Sequence, residues 1–238
     1  MIDCISVENM RMSDAYTIEN SVSGAVLMYR AAYGVYLAGQ WKEPVAIVCG
    51  SGNNGGDGFA LACILQEKGI RCRVFTLSDK RTGDSGFYAE NAVSSGVVLE
   101  PFQIGCLDGF ATVVDCLLGT GFQGKLRDSY RSAIRDINNS QSFVISVDIN
   151  SGMNGDTGLC ELAVISDLTV TIGYIKKGLV TENAGNYMKK LVCTDIGITL
   201  VREEEKICSA DLPQEGCIPC PAWLDMEIIL SCPSSDIL

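Results

Sequence analysis

The segment from Cys49 to Ala62, CGSGNNGGDGFALA, carries the strongest chemical signal in this 238-residue sequence. A hydrophobic strand is predicted to run into its glycines, and a helix is predicted to follow at once. Glycine lets the backbone turn sharply and approach a ligand closely, and the free N–H groups at a helix start attract anions. Gly50, Gly52 and Gly55 also fit the dinucleotide-binding pattern G-x-G-x-x-G, although similar turns after strands often serve packing only.

Three polar side chains in this segment, Asn53, Asn54 and Asp57, distinguish it from a plain dinucleotide-binding loop. A carboxylate beside a bound pyrophosphate is disfavoured by like-charge repulsion, so Asp57 suits a hydroxyl, an amide or a cation better. The alternative is that Asn53 and Asp57 cap the following helix, which explains one of the three residues but hardly all of them. We therefore predict a polar ligand-binding loop.

Two aspartates lie where predicted strands end. Asp115 in ATVVDCLLGTG and Asp148 in VISVDINSG each follow about five apolar residues and precede a glycine-containing turn. Either one alone could cap a helix or tie a loop. Ligands of open parallel sheets bind outside the carboxyl ends of the strands. Together with the Cys49–Ala62 segment, these make three polar, glycine-containing junctions at one sheet edge. We therefore predict one shared site.

The charged residues limit the chemistry and the partners. The chain has no histidine, so proton transfer must use Asp, Glu, Lys, Tyr, Cys or water. The net charge of -11 disfavours nucleic acid and anionic membranes as partners, and a phosphorylated ligand would need local positive charge. Lys125 and Arg127 could contact a phosphate or be plain surface charges, and the same alternatives apply to Lys176 and Lys177.

The hydrophobic pattern behind these residues alternates between strands and helices. It predicts an α/β fold with a mainly parallel sheet and helices on both faces. Two amphipathic helices open the chain, at about 7–19 and 23–37, and later helices are predicted at 59–69, 85–96 and 130–137. Strands are predicted within 43–50, 70–77, 109–115, 141–148, 167–173 and 189–197.

We assign residues 1–200 to one domain and residues 201–238 to a C-terminal tail of unknown role, because charge clusters and prolines appear beyond Ile198.

The first residues lack the apolar stretch of a secretory signal, and no apolar run approaches the ~18 residues of a membrane span, so a cytoplasmic protein is expected. Most of the twelve cysteines are then expected to be reduced thiols. A zinc site at Cys217 and Cys220 is a weaker alternative, since the flanking Cys208 and Cys232 are irregularly spaced.

Together these segments resemble the NAD(P)H-hydrate epimerase family, the YjeF N-terminal domain. GSGNNGGDGFALA, VVDCLLGTGFQGKLR and SVDINSGMNGDTG are similar to three segments of that family, and VLMYRAA and GYIKKGL match it more weakly. The resemblance implies a Rossmann-like three-layer sandwich and a homodimer. It also implies epimerisation at C6 of hydrated NADH and NADPH (NADHX and NADPHX), possession of a potassium ion, and cooperation with a separate NAD(P)HX dehydratase.

The resemblance also implies the site residues. Potassium would be held by Asn54, Asp115 and Ser151, a set of oxygen donors that suits a hard cation. For proton transfer we favour Asp148, then Asp57, with Lys125 as a partner. The substrate-binding residues would be Asn53, Asn54, Gly55, Gly56, Asp57, Gly119, Thr120, Gly121, Phe122, Gln123, Gly124, Lys125 and Asp148.

The sequence departs from the family pattern at three positions: Asn150 stands in place of a proline, and Tyr29 and Ala32 in place of Glu and Gly. Two other functions stay open. An NAD-dependent oxidoreductase would use Asp79, after the second sheet strand, to hold a ribose. A non-catalytic nucleotide- or protein-binding module could also be built on the same fold.

Overall fold

The central element of the fold is an eight-stranded sheet. The computed structural model describes residues 2–81, 83–208 and 217–230. In chain order the strands are β1 (Ile2–Ile5), β2 (Val45–Cys49), β3 (Cys72–Thr76), β4 (Val98–Pro101), β5 (Thr112–Cys116), β6 (Phe143–Val147), β7 (Leu168–Ile172), β8 (Ile175–Lys176), β9 (Lys190–Asp195), β10 (Glu205–Cys208), β11 (Cys217–Pro219) and β12 (Asp225–Leu230).

The strands of the central sheet lie in the order β12-β9-β7-β6-β5-β2-β3-β4, and every neighbouring pair is parallel. The chain winds outward from β2 to β4 and then returns to place β5 on the other side of β2. This reversal between β2 and β5 creates a crevice at the carboxyl ends of the two strands, where open α/β sheets bind ligands.

Helices cover the sheet on both faces. They are α1 (Val7–Asn20), α2 (Gly24–Ala38), α3 (Asn53–Glu67), α4 (Gly83–Ser94) and α5 (Asp128–Asn139). Alternate side chains of β2 point to opposite faces: Ile47 packs in a cluster with residues of α2, α3 and α4, whereas Val48 packs in a cluster with Ile134 of α5. A small second sheet, β11-β10-β1-β8, lies beside these layers. The predicted three-layer α/β fold is confirmed.

The glycine-asparagine segment differs from the prediction. It is not a loop, because α3 begins at Asn53 and contains all of NNGGDG. Glycine costs a helix interior roughly 1 kcal/mol relative to alanine. Here close packing offsets that cost: a Cβ on Gly58 would meet Cys49 Sγ at 2.6 Å and Cys116 Cβ at 2.9 Å. Glycine therefore lets α3 lie directly against β2 and β5.

Part of the segment assigned to a tail pairs with the rest of the chain. Strand β10 runs antiparallel to β1, β11 pairs with β10, and β12 extends the central sheet beside β9. The side chain of Ile207 is buried. The domain boundary at residue 200 stays a prediction, and the ranges 209–216 and 231–238, which include Cys232, lie outside the described residues.

Two further findings concern the cysteines and the helices. Cys4, Cys49, Cys116 and Cys193 are buried free thiols. Burial raises the pKa of Cys63 to about 11 and that of Cys72 to about 12, so both stay protonated at neutral pH. None of the helices in the described ranges is long and apolar enough to span a bilayer.

Candidate functional site

A cavity of about 620 Å³ lies at the carboxyl edge of the central sheet, beside the reversal between β2 and β5. Its wall is formed by one face of α1, the start of α2, the first turns of α3 and the chain that follows β5, β6, β7 and β9. The predicted site residues that line it are Asn53, Asn54, Asp57, Gly119, Thr120, Gly121, Phe122, Gln123, Lys125 and Asp148.

The other predicted site residues lie next to this cavity rather than in its wall. Gly55 and Gly56 are buried within α3, where a Cβ on Gly55 would collide with the carbonyl oxygen of Gly50. Gly124 has a φ of +89° and borders a separate cleft of about 80 Å³. Asp115 and Ser151 are buried behind the cavity.

The start of α3 offers backbone N–H groups to the cavity. Gly52 occupies the N-cap position, and no side chain caps this end of the helix. The capping role considered for Asn53 and Asp57 is therefore wrong, because Asn53 is the first helical residue and Asp57 lies in the second turn. Uncapped N–H groups at a helix start, with the positive end of the helix dipole, favour a bound anion.

Asp148 is fixed at the end of β6 in a left-handed conformation, with a φ of 69°. Its Oδ1 accepts a 2.6 Å hydrogen bond from Lys176 Nζ, and its Oδ2 accepts a 2.9 Å hydrogen bond from the Thr120 N–H. Lys176 Nζ also donates to Thr171 Oγ1 at 3.0 Å and to the Ile172 carbonyl at 2.7 Å. Both oxygens of Asp148 are thus engaged by fixed donors.

The two lysines of GYIKKGL differ sharply. Lys176 is 0% exposed, so it is not a plain surface charge, and all three of its ammonium hydrogens have acceptors within the protein. Lys177 is the surface charge, paired with Glu204 at 3.0 Å and Glu205 at 3.2 Å. Lys176 is the last residue of β8, whereas Lys177 begins a short 3-10 helix, and this change of backbone direction gives the two lysines different environments.

Two further carboxyl groups, Asp14 and Asp57, line the cavity near this ion pair. Neither makes a hydrogen bond or an ion pair with any residue that the structure describes. Burial raises the pKa of Asp14 to about 6, with Lys176 opposing the shift and Asp148 adding to it. Burial also raises the pKa of Asp57 well above its usual range, and Asp148 and Asp14 raise it further. Burial therefore raises the pKa of both of these carboxyl groups, neither of which has such a partner among the described residues.

Asp14 also lines the cavity, although the sequence did not predict it there. It lies outside the glycine-rich segments, and no motif marks it. The only available signal is its position on α1, where Met10, Arg11, Asp14 and Ile18 are spaced to share one helix face, and all four line the cavity. Because the stripe mixes apolar, acidic and basic residues, hydrophobicity alone does not reveal that face.

A second group of oxygen atoms lies behind the cavity. Asp115 accepts hydrogen bonds from Ser151 Oγ at 2.6 Å, from the Ser151 N–H at 3.0 Å, from Ser146 Oγ at 3.0 Å and from the Leu117 N–H at 3.2 Å. Burial raises the pKa of Asp115, while the hydrogen bonds from Ser151 lower it. Within the described ranges no basic side chain forms an ion pair with this buried carboxylate.

Asn54 belongs to the same group of polar residues, but its side-chain amide has no hydrogen-bond partner among the described residues. Both polar atoms of this side chain are buried. A Cβ on Gly119 would lie 3.3 Å from Asn54 Cβ and 2.6 Å from Asp148 Oδ2, so glycine keeps the Asn54 and Asp148 side chains close to the loop. Buried polar groups are rarely left unpaired, and an orphaned amide indicates a missing ligand. An amide oxygen, a hydroxyl and a carboxylate fit a hard cation.

Basic side chains lie at the opening of the cavity. Arg11, Lys125 and Arg127 line it, and all three are exposed. Arg11 Nη2 also donates to the Thr120 carbonyl at 3.4 Å. These residues give a local positive charge on a chain whose net charge is -11. Asp79, which a dehydrogenase would use, is exposed and stands outside the cavity wall.

Two of the three departures from the family pattern, at Asn150 and Tyr29, make defined local contacts. Asn150 is fully buried, and its Nδ2 donates to the Val164 carbonyl, Ser166 Oγ and the Tyr187 carbonyl at 2.9 to 3.0 Å, which fixes the turn after Asp148. Tyr29 stacks on Tyr33 with ring centroids 6.2 Å apart and lies outside the cavity wall.

This fold and site define a doubly wound α/β protein with a ligand-binding cavity at its topological switch point. Residues 19–178 match the family model described as YjeF-related protein N-terminus. The chain therefore belongs to the YjeF-related N-terminal family.

Relatives are similar over most of the chain. It is 34% identical over 189 residues to an NAD(P)H-hydrate epimerase of Limosilactobacillus reuteri, covering 76% of this chain and 89% of that protein. It is 34% identical over 206 residues to an NAD(P)H-hydrate epimerase of Rhodopirellula baltica, covering 84% of this chain and 82% of that protein. A Coxiella burnetii bifunctional NAD(P)H-hydrate repair enzyme Nnr is 32% identical over 80% of this chain, which spans only 40% of that enzyme's length.

A solved structure is similar in fold. The crystal structure of yeast ynu0 (YNL200c) superposes with a TM-score of 0.66 and 20% sequence identity, covering 74% of this chain and 83% of the yeast chain. At this identity the similarity establishes the fold alone, and it agrees with the parallel sheet and its helices described above.

Proposed function

We propose that this protein interconverts the R and S forms of hydrated NADH and NADPH (NADHX and NADPHX) at C6, as part of nicotinamide cofactor repair. The observation that carries the proposal is the placement of Asp57, the Asp148–Lys176 pair and the uncapped start of α3 in one cavity. The relatives named NAD(P)H-hydrate epimerase, similar over most of the chain, support it.

The reaction requires proton transfer and charge stabilisation. The lone pair of the ring nitrogen expels the C6 hydroxyl, which takes a proton and leaves as water, and the ring becomes a planar iminium cation. Water then adds to C6 on the other face and gives up a proton, so no proton is gained or lost overall. Such a reaction needs a proton donor, a proton acceptor and a negative charge near the ring.

Asp148 and Asp57 have different environments, and we propose different roles for them. The sequence favoured Asp148 for proton transfer, but both of its oxygens accept hydrogen bonds from fixed donors. We therefore assign Asp148 to electrostatic stabilisation of the cation. Burial raises the pKa of Asp57 well above its usual range, and its carboxyl has no hydrogen-bond partner among the described residues, so it suits donation to the leaving hydroxyl.

The remaining contacts of the substrate follow from its charge. The uncapped start of α3 suits the pyrophosphate, and the exposed Lys125 and Arg127 suit a phosphate at the cavity opening. We assign Lys125 to this contact rather than to the reacting ring, because its side chain is exposed. The glycine-rich stretch 119–124 after β5 would lie along the nucleotide, since glycine allows close backbone approach.

We also propose a potassium ion bound by Asn54, Asp115 and Ser151. The unpartnered amide of Asn54 and the buried charge of Asp115 support this ligand set. When bound, the ion would supply positive charge next to Asp115 and a partner for the Asn54 oxygen. Ser151 Oγ accepts the Leu118 N–H at 2.9 Å, so its hydroxyl also ties the loop after β5 to this group.

The proposal extends to the setting of the enzyme. We propose a homodimer in the cytoplasm, acting on NADHX and NADPHX, with neither nucleic acid nor membrane as a partner. A separate NAD(P)HX dehydratase is the proposed functional partner. The relative named as a bifunctional NAD(P)H-hydrate repair enzyme supports a second repair activity that acts together with the epimerase.

The test is chiral separation of R- and S-NADHX after one purified epimer has been incubated with the protein, with potassium or with sodium. An enzyme-free sample sets the baseline for spontaneous epimerisation. Equilibration well above that baseline is the expected result. Absence of acceleration by folded protein in potassium would contradict the proposal and favour a binding module, whereas a change in nicotinamide absorbance with an oxidised substrate would favour an oxidoreductase.

A further inference from the structure

Helix α1 contributes a charged face to the cavity, and Asp14 is its carboxylate. Met10, Arg11, Asp14 and Ile18 all line the cavity, and their spacing places them on one side of the helix. The N-terminal end of the helix is held against the rest of the molecule. The Val7 N–H donates to Asp156 Oδ1 at 2.7 Å, and the N–H and hydroxyl of Ser6 donate to Glu204. Asp14 is therefore presented to the cavity by a fixed element.

The surroundings of Asp14 contain charges from several elements. The buried Lys176 ammonium at β8 attracts the ionised form, and Asp148 at the end of β6 repels it. Asp57 of α3 also interacts with it electrostatically. The other charged groups of the cavity wall are Arg11 of the same helix, Asp84 of α4, and Lys125 and Arg127 at the opening.

Asp14 has no structural task in the described parts of the chain. Its carboxyl makes no hydrogen bond and no ion pair there, unlike Asp156, which binds the start of α1. Keeping an ionisable group half-buried in a wall that already contains Asp57 and Asp148 costs stability. A cost of this kind, without an interaction that offsets it, is typical of a group kept for chemistry.

We propose that Asp14 is the proton acceptor of the epimerisation, the group that takes the proton from the water adding to C6. This inference rests on the proposed function. In the balanced step, a water oxygen forms its bond to C6, the iminium electron pair returns to the ring nitrogen, and one water proton moves to the Asp14 carboxylate. The proton that Asp57 gave to the leaving hydroxyl and the proton that Asp14 receives then exchange with solvent.

The three carboxyl groups divide the work because their environments differ. Asp148 pairs with Lys176 through a 2.6 Å hydrogen bond and serves as fixed negative charge. Asp57 and Asp14 have no such bond, and the pKa of Asp14, about 6, makes it mainly ionised at neutral pH. An acceptor must be ionised and have a free lone pair pointing into the cavity, and Asp14 meets the first of these conditions better than Asp57.

The test compares the full chain with Asp14→Asn, Asp14→Glu and the control Glu19→Gln. Glu19 is exposed on α1 and stands outside the cavity wall, so its variant removes one carboxylate from the same helix. Initial rates of epimerisation of purified R-NADHX are measured from pH 5 to 9 in potassium, giving kcat and KM at each pH. Circular dichroism checks the folding of each variant.

We expect the wild-type rate to fall as the pH drops below about 6, where Asp14 is protonated. Asp14→Asn should lose about a hundredfold or more in kcat, as general-base removal does, with KM changed less than about threefold. Its residual activity should lack the acidic limb of the pH profile. Asp14→Glu should keep an acidic limb at reduced kcat, and Glu19→Gln should match wild type.

Three results would overturn the inference. They are an unchanged acidic limb in Asp14→Asn, a rise in KM with unchanged kcat, and, if Asp14→Asn does not fold, a wild-type profile that shows no decline below about pH 6. Failure of the proposed function itself has a different signature, because wild-type protein would then give no epimerisation above the enzyme-free baseline at any pH.

Discussion

Lys176 Nζ lies 2.6 Å from Asp148 Oδ1 in the wall of the cavity, and the lysine side chain is 1% exposed. The pair joins β8, a strand of the small sheet, to the end of β6 in the central sheet. Because Asp148 has a positive φ, its backbone is in a region that non-glycine residues rarely adopt. The ion pair and the Thr120 N–H together hold the carboxylate in place despite that strain.

Lys176→Met is expected to lower the free energy of unfolding by about 3 kcal/mol, because it leaves the Asp148 carboxylate buried without its cation. Epimerase activity should fall with it. Urea unfolding at pH 7.5 measures the change. The matched control is the neighbouring Lys177→Met, which removes a partly exposed charge and should cost about 1 kcal/mol or less. Equal losses in the two variants would contradict the role of the buried pair.

Much of the fold could be predicted from sequence because its signals are local. Hydrophobic periodicity located α1 and α2 to within a residue or two, and apolar runs followed by polar residues located the strands that carry Asp115 and Asp148. The parallel arrangement then implied that these junctions meet at one edge.

The missed features depend on contacts between distant segments. Lys176 and Lys177 are adjacent residues of the same type. Lys176 is the buried one because its ammonium meets the carboxylate of Asp148, which is distant in the sequence, and two acceptors at the end of β7. Asp14 reaches the cavity because α1 is docked by residues near 156 and 204. The helical state of NNGGDG results from packing against β2 and β5, which outweighs the low helix propensity of glycine.

Asp14→Asn is expected to stabilise the protein at neutral pH. The folded-state pKa of Asp14, about 6, lies above the value of about 3.9 expected in the unfolded chain. The folded state is therefore penalised progressively as pH rises between these two values, and the penalty is complete above them. The asparagine variant should unfold with a free energy about 3 kcal/mol higher at pH 7.5 but only about 1 kcal/mol higher at pH 4.5.

Urea titrations at the two pH values provide this comparison, with Glu19→Gln as the control for loss of one α1 carboxylate. A gain of the same size at both pH values would show that it does not come from Asp14 ionisation. Higher stability together with lower kcat would be the trade-off expected of a residue kept for catalysis.

Glu204→Gln is expected to destabilise the protein, because Glu204 binds the N-cap residue of α1. It accepts hydrogen bonds from the Ser6 N–H at 3.0 Å, Ser6 Oγ at 2.8 Å and Arg202 at 2.8 Å, and it pairs with Lys177. Although burial opposes the shift, these hydrogen bonds lower the pKa of Glu204 to about 2.

A lowered folded-state pKa gives stability that is present above the unfolded value of about 4.3 and is lost as pH falls toward 2. We expect Glu204→Gln to cost about 2 kcal/mol at pH 7 and clearly less at pH 3.5, measured by urea unfolding. The adjacent Glu203→Gln, at an exposed position, is the control and should be neutral at both pH values. A cost that does not depend on pH would contradict this electrostatic explanation.

Asn54 allows the potassium site to be tested without any activity assay. A ligand that binds only the folded state raises the thermal midpoint by an amount that grows with its concentration. Wild-type protein should therefore melt at a higher temperature in potassium chloride than in sodium chloride of equal ionic strength. Asn54→Ala should lose most of this difference, because it removes the unpartnered amide oxygen.

The variant should also be no less stable than wild type when potassium is absent, since the amide is buried without a hydrogen-bond partner in the described ranges and its removal relieves that cost. The neighbouring Asn53→Ala, on an exposed side chain at the start of the same helix, should keep the potassium effect. Equal potassium shifts in Asn54→Ala and wild type would remove Asn54 from the ligand set. Loss of stability in sodium chloride would instead indicate that the Asn54 amide has a structural role in the ion-free protein.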